Sequence, residues 1–312
     1  MGKNFLRILL VRIRGKSDSV IVYYNGQYMQ EEEVVISPFD HGFLYGIGIF
    51  ETIRIYDGHP FLLYDHMQRL QNGLREMNID AIVNTEKIEM ILQELLMLNK
   101  IRNARVRINY SAGIGKAGLP DGSYSNPNLL IIINPLPEAK EFILEKRAYI
   151  LRLRRNCSET KHRLKSHHFG NNIAAKMELM EYGKDAEGIF LTNQENVSEA
   201  ITSNVFWVKN QVLYTPSENC DILLGITRNF ILKLAELLHI PVKEGCYQVS
   251  ELTDAEEIFL TNSVQEIMAI KEINNTSSYE GVNGSVTTAL YEQYKRLRTS
   301  LLTSDKIRDI EG

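Results

Sequence analysis

The order of apolar and polar positions divides the chain into strand-like and helix-like stretches. VIVYYNGQYM, just after Ser19, predicts two short strands around an Asn25-Gly26 turn. A loop rich in Gly, His and aromatic residues follows, and Phe50 to Tyr56 predicts a strand closed by Asp57-Gly58. Over Tyr64 to Ile79, the recurrence of Tyr64, Met67, Leu70, Leu74 and Met77 predicts an amphipathic helix. His66 and Arg69 lie off that stripe, on what reads as a solvated face. A second helix is expected over about Thr85 to Leu98, burying Ile88, Ile91, Leu92, Leu95 and Leu96. Arg105 to Gly113 predicts a strand, and IGKAGLPDGSYSNP a long polar loop. NLLIIINPL is continuously apolar, the pattern of a strand buried on both faces. Pro135, Pro137 and the mostly charged Glu138 to Glu141 read as an interdomain linker.

The second half opens with a strand near Ala148 to Leu153. The basic stretch RRNCSETKHRLKSHH follows, and Asn171 and Asn172 are expected to cap a helix with apolar residues Ile173, Ala174, Met177 and Met180. GIFLTN predicts a strand, NQEN a turn, and NVFWVKNQVLYTP a hairpin around Lys209-Asn210. Ile226, Phe230, Leu234 and Leu237 stripe a helix opening at Gly225-Ile226-Thr227. Two strands broken at Asn262-Ser263, then a helix over Ser285 to Leu302, complete a mixed α/β chain. The expected division is a smaller N-terminal α/β domain over 19–136 and a larger one over 137–312. Residues 1–18 read as an extension outside the fold, because their apolar run is broken by Arg7 and Arg12 and is too short for a signal peptide or a membrane span.

Composition narrows the function classes. The 312 residues are 44% hydrophobic and 24% charged, as in soluble globular proteins. A net charge of −4 with no long basic run argues against a nucleic-acid partner. Cys157, Cys220 and Cys246 are sparse and form no CxxC, which argues against a disulfide framework and a zinc site and suits a reducing cytoplasm. No metal is expected.

The candidate chemistry lies between Lys165 and Asn204. Lys165 sits in a polar bend, and Glu199 precedes small polar residues. Enzymes using pyridoxal 5′-phosphate (PLP) need a lysine to hold the aldehyde and move protons, and a carboxylate to keep the pyridine nitrogen protonated. Lys176 is the competing lysine, with mid-helix exposure its expected fate. A helix opening with Gly225, Ile226 and Thr227 can hold a phosphate through free N–H groups, or be an ordinary threonine-capped helix.

In order, FDHGFLYGIGIFETIR, HMQRL, KSHHFGNN, SEAITSN, LGIT and TNSVQEI make the chain resemble the fold-type IV PLP enzymes, a two-domain group that includes D-amino-acid aminotransferases. The resemblance covers roughly Val20 to Ile273. It implies that Lys165 is the Schiff-base lysine and that Glu199, 34 residues on, is the pyridine-nitrogen carboxylate. It places Arg69, Ile226, Thr227 and Ser263 on the cofactor phosphate, reversing the solvated-face reading of Arg69. Tyr45 stands where some members place an aromatic hydroxyl near the cofactor.

The N-terminal loop and NYSAGIGKAGLP are most similar to the aminodeoxychorismate lyases of Gram-positive bacilli. Many aminotransferases of the fold carry an arginine near the end of this strand. Here Tyr110, Ser111 and Ala112 stand before Gly113, with Arg107 earlier and Lys116 beyond as substrate-side candidates. Gly170 replaces a tyrosine usual in the branched-chain enzymes. The implied reaction is β-elimination of pyruvate from 4-amino-4-deoxychorismate, giving the folate precursor 4-aminobenzoate. The alternatives are a D-amino-acid or branched-chain aminotransferase and, in another class, a catalytically silent PLP-fold protein. The resemblance also implies a homodimer, with a small-molecule substrate and no membrane partner.

Overall fold

The computed structural model describes residues 19–310 except 117 and 184. The extension expected over 1–18 lies outside the described residues.

The first half builds one antiparallel sheet. β1 (Ile21–Tyr24) and β2 (Gln27–Gln30) form the expected hairpin, with Asn25 and Gly26 both at positive φ. A short helix α1 (His41–Tyr45) precedes β3 (Gly48–Tyr56) and β4 (His59–Pro60). Helices α2 (Leu63–Glu76) and α3 (Thr85–Asn99) lead to β5 (Ala104–Ser111) and β6 (Asn128–Pro135). The strand order is β2-β1-β6-β5-β3-β4. Ile53, Val106, Ile108, Ile131 and Ile133 point to one face, where α2 and α3 bury Leu70, Leu74, Leu92 and Leu95 against them. α2 stops earlier than its periodicity suggests: Asn78 turns left-handed at φ 52°, and Ile79 folds back with its N–H on the Leu74 carbonyl.

The apolar run of β6 is not buried on both faces. Ile131 and Ile133 are fully buried, whereas Ile132 and Asn134 line an open cleft. Among the described residues the sheet has helices on one side only, and its other face is a cavity wall.

The second half builds a nine-stranded sheet. It contains β7 (Leu144–Ile150), β8 (Ala186–Leu191), β9 (Val197–Ala200), β10 (Asn204–Lys209) and β11 (Val212–Pro216). β12 (Val242–Gly245), β13 (Glu257–Asn262), β14 (Glu266–Ile273) and β15 (Ser277–Ser278) complete it. The path is β12-β11-β10-β13-β14-β7-β8-β9, with β15 beside β14. Its helices are α4 (Gly170–Leu179), α5 (Ile226–Leu237), α6 (Val249–Thr253) and α7 (Ser285–Leu297). β7 begins four residues before the expected strand, and α7 ends five before the expected helix end.

The two halves share a core. Phe61 meets Phe230 and Tyr294 edge-on, each with ring centroids 5.2 Å apart. The expected linker is tied down, since the Lys140 carbonyl accepts from Tyr291 Oη at 2.8 Å and Arg298 Nη1 at 3.1 Å. β12 runs parallel to β11 and brings Cys246 Sγ within 2.9 Å of Cys220 Sγ, a proximity their sequence spacing does not suggest.

α4 corrects another expectation. Asn171 and Asn172 lie inside its first turn, and Phe169 is the N-cap. The buried face is Asn172, Ala175 and Leu179, while Ile173, Met177 and Met180 are exposed. Among the described residues no helix is long and apolar enough to cross a membrane, and no cluster of metal-ligating side chains occurs.

Candidate active site

A cleft of about 950 Å³ lies between the open face of the first sheet and the end of the second where α5 begins. Lys165, Glu199, Arg69, Ile226, Thr227 and Ser263 all line it. They come from five separate stretches of the chain, so the fold assembles them.

Lys165 is delivered by a short pairing with the start of β3. Phe50 N–H donates to the Lys165 carbonyl at 2.9 Å, and His167 N–H to the Gly48 carbonyl at 3.0 Å. Position 48 must be glycine, because a Cβ there would stand 2.2 Å from the His167 ring. Lys165 Nζ lies 4.8 Å from the centre of the Phe50 ring. Burial, reinforced by Arg69, pushes its ammonium down to about 8, against the pull of Glu51 and Glu199. At neutral pH this amine is close to the balance between base and acid.

Glu199 projects from β9 and is 5% exposed. Oε1 accepts from Arg155 Nη2 at 2.7 Å, and Oε2 from the Leu223 N–H at 2.9 Å. Arg155 is itself held by Asn171 and Asn172, its Nη1 lying 2.8 and 3.2 Å from their Oδ1 atoms. The two asparagines therefore orient the partner of the carboxylate instead of capping α4.

The third corner joins α2 to the start of α5. Glu51 occupies the inward register of β3 between Ile49 and Ile53 and is fully buried. Arg69 grips it in two parallel bonds of 2.7 Å, and His66 Nδ1 lies 2.7 Å from the same carboxylate. Burial would raise the Glu51 carboxyl, but Arg69 and His66 outweigh it and hold the group well below its ordinary range. Burial lowers His66 despite Glu51, so at neutral pH the ring is uncharged and its Nδ1–H donates. Arg69 Nη1 reaches the Leu224 carbonyl at 2.8 Å, bringing α2 to the turn before α5. Gly225, the α5 N-cap, offers no side-chain cap to the first N–H groups of the helix. It packs so closely that a Cβ would stand 2.1 Å from Asn204 Oδ1. Ser263 Oγ lies 3.5 Å from His66 Nε2 at the edge of this corner.

These three corners fit PLP. An uncapped helix N-terminus beside an arginine suits the phosphate, a buried carboxylate oriented by Arg155 suits the ring nitrogen, and a lysine of lowered basicity suits the aldehyde.

Arg107 also faces the cleft, its guanidinium 3.5 Å from the Phe50 ring centre. Tyr45 and Lys116 do not line this cleft. Tyr45 Oη accepts from the Gly118 N–H at 3.2 Å and the residue is 43% exposed, while the Lys116 carbonyl pairs with His41 Nε2 at 2.9 Å. Buried Asp40 and His41 bind this loop to the ends of the sheet: Asp40 accepts from Ser111 Oγ at 2.7 Å, and His41 Nδ1 meets Tyr124 Oη at 3.0 Å. The motif FDHG is thus a structural fastening. Lys176 is exposed on α4 as expected.

Sequence reasoning missed Glu51, Arg155 and Asn204, and read His66 as solvated although it is 2% exposed. Glu51 carried a signal: a lone carboxylate in the alternation Ile49, Glu51, Ile53, Ile55, all inward-facing.

The fold and the site define a fold-type IV PLP enzyme. Residues 48–273 match the family described as Amino-transferase class IV, and the chain belongs to that family. It is 45% identical over 280 residues to the aminodeoxychorismate lyase of Bacillus subtilis, covering 88% of this chain and 94% of that protein. It is 34% identical to a putative branched-chain-amino-acid aminotransferase of Methanocaldococcus jannaschii, covering 89% of this chain and 96% of that one. Among solved structures, the branched-chain aminotransferase of Thermoproteus uzoniensis superposes with a TM-score of 0.82 at 28% identity, covering 90% of this chain and 95% of that one.

The Lys165 environment makes a prediction for the cofactor-free protein. Its folded value of about 8 lies below the ordinary 10.5, so between them the unfolded chain binds more protons. This group's contribution to stability should therefore rise from about pH 8 to 10.5. Urea midpoints at pH 7.5 and 10 should show a rise in the wild type that Lys165→Met lacks. An equal rise in both would contradict the assignment.

Proposed function

We propose that this chain is an aminodeoxychorismate lyase, converting 4-amino-4-deoxychorismate into 4-aminobenzoate and pyruvate. What carries this choice over an aminotransferase is the greater likeness to the Bacillus subtilis lyase than to the archaeal aminotransferase, over nearly the whole of both relatives. The reaction removes a proton from the amine-bearing ring carbon and expels the neighbouring enolpyruvyl group, and the ring becomes aromatic.

When bound, PLP supplies the electron sink that makes that carbon acidic. Lys165 is the group we assign to the cofactor aldehyde and to the proton: its amine, poised near pH 8, can take a proton from the carbon and return one to the leaving group. Glu199, oriented by Arg155 and the Leu223 N–H, would pair with the ring nitrogen and favour a proton there. Arg69, oriented by Glu51, anchors the phosphate with the N–H groups of Ile226 and Thr227 and the hydroxyl of Ser263. Arg107 meets the enolpyruvyl carboxylate beside the reacting carbon.

The same reading gives a smaller domain over 19–136 and a larger one over 137–312, in a cytoplasmic homodimer. The exposed apolar residues Phe43, Leu119, Ile173, Met177 and Met180 support the dimer, because such side chains are commonly covered by a partner.

The test mixes the PLP-loaded protein with 4-amino-4-deoxychorismate and follows both products. Equal amounts of 4-aminobenzoate and pyruvate are expected. No product, together with transamination of D-alanine or leucine by 2-oxoglutarate, would replace the lyase with an aminotransferase.

A further inference from the structure

β5 alternates strictly. Ala104, Val106 and Ile108 are fully buried in the core, which turns Arg105, Arg107 and Asn109 to the opposite face. Arg105 and Arg107 both line the cleft. Arg105 also stands directly opposite Arg54 on β3. Three guanidiniums thus share one patch of sheet, an arrangement that costs free energy because like charges face each other across the strands.

Among the described residues only one of the three is matched by a carboxylate. Arg54 pairs with Glu266 at 3.5 Å, lies over the Tyr56 ring at 4.8 Å and donates to the Val264 carbonyl. Arg107 rests on Phe50, and its Nε reaches Asn109 Oδ1 at 3.3 Å. Arg105 has no carboxylate partner among the described residues. Burial depresses Arg107, and the neighbouring Arg105 charge depresses it further. A solvated arginine outside a cleft would need no explanation. Arg105 is exposed but opens into the cleft, and an arginine there, beside two others and without an anion, is suited to an anion that arrives with the ligand.

We propose that Arg105 is a specificity-determining residue that binds a second carboxylate of the substrate, the one on the ring carbon opposite the amine. This rests on the lyase reading and deepens it. Arg107 and the Lys165 amine both lie against the Phe50 ring, 3.5 and 4.8 Å from its centre, and Arg107 is among the charges acting on that amine. Arg105 is two residues along the strand, about 7 Å further. The near arginine therefore meets the carboxylate beside the reacting carbon, and the far one meets the carboxylate across the ring. A substrate with a single carboxylate leaves Arg105 unmatched.

The test measures dissociation constants by calorimetry on the PLP-loaded protein. The probes are 3-(carboxymethoxy)benzoate, which carries both carboxylates, and phenoxyacetate, which lacks the one on the ring. The wild type should bind the first about tenfold or more tightly than the second. Arg105→Gln should remove that preference while leaving phenoxyacetate affinity unchanged, and Arg105→Lys should keep part of it. In turnover, Arg105→Gln should raise KM for 4-amino-4-deoxychorismate about tenfold with little change in kcat. No preference in the wild type, or a preference intact in Arg105→Gln, would overturn the assignment. If the protein makes no 4-aminobenzoate yet Arg105→Gln still loses the preference, the lyase reading falls and the dianion site stands.

Discussion

Lys165→Ala should lower 4-aminobenzoate formation by roughly 10⁴-fold or more, since both attachment of the cofactor and the proton transfers depend on this amine. No other group in the cleft combines its features. It is fixed to β3 through its own carbonyl and poised near pH 8 by burial and Arg69. Lys176 also lines the cleft but is exposed on α4 and has no backbone tie to β3 of the kind that fixes Lys165; Lys176→Ala should keep activity within about twofold of wild type, in contrast to the loss expected from a catalytic amine. The variant at 165 should fold normally. Keeping that ammonium charged in the cleft at pH 7 costs on the order of 3 kcal/mol, less whatever water at the cleft mouth returns. Removing it relieves strain instead of creating it. The measurement is pyruvate release coupled to a lactate dehydrogenase assay, with unfolding by urea alongside. Turnover within about tenfold of wild type in a normally folded variant would remove Lys165 from the mechanism.

The sequence was most informative where a side chain's role is local. The hairpin at Asn25-Gly26, the stripe of α3 and the helix at Gly225 follow from turn chemistry and periodicity, and the structure has all three. Lys165, Glu199 and Arg69 were singled out because each sits in a motif that resembles the family's, and the fold brings all three to one cleft. What could not be read is which partner each charged group finds across the fold. Arg155 lies in a basic stretch that looks solvated, yet its guanidinium is buried against Glu199, 44 residues away. Likewise α4 shows an apolar stripe, but it is the Ala175 and Leu179 side that packs inward. Periodicity identifies a face without saying whether this chain or another covers it. β6 failed for a related reason, since an apolar residue such as Ile132 can line a ligand cleft as readily as a core.

Glu51→Leu should destabilise the protein by about 3–5 kcal/mol, more than any other single change at the site. The carboxylate is fully buried and answers both Arg69 and His66. Its loss leaves a half-buried guanidinium at the cleft wall with only the Leu224 carbonyl, and a buried imidazole N–H with no acceptor. A desolvated charge without its partner costs far more than the intact pair contributes. The double variant Glu51→Leu with Arg69→Met should therefore be more stable than Glu51→Leu alone, although both should hold PLP at least about tenfold more weakly for want of an oriented phosphate anchor. The acid limb carries the same signature. The folded carboxyl lies well below its ordinary 4.5, so its contribution is complete above that value and fades as the pH falls toward the folded one. Urea unfolding at pH 7 and pH 4 for wild type, single and double variants measures all of this. A Glu51→Leu protein within about 1 kcal/mol of wild type would show that the Arg69 charge finds water when its partner is gone, and that the corner is held together by packing and not by its ion pair.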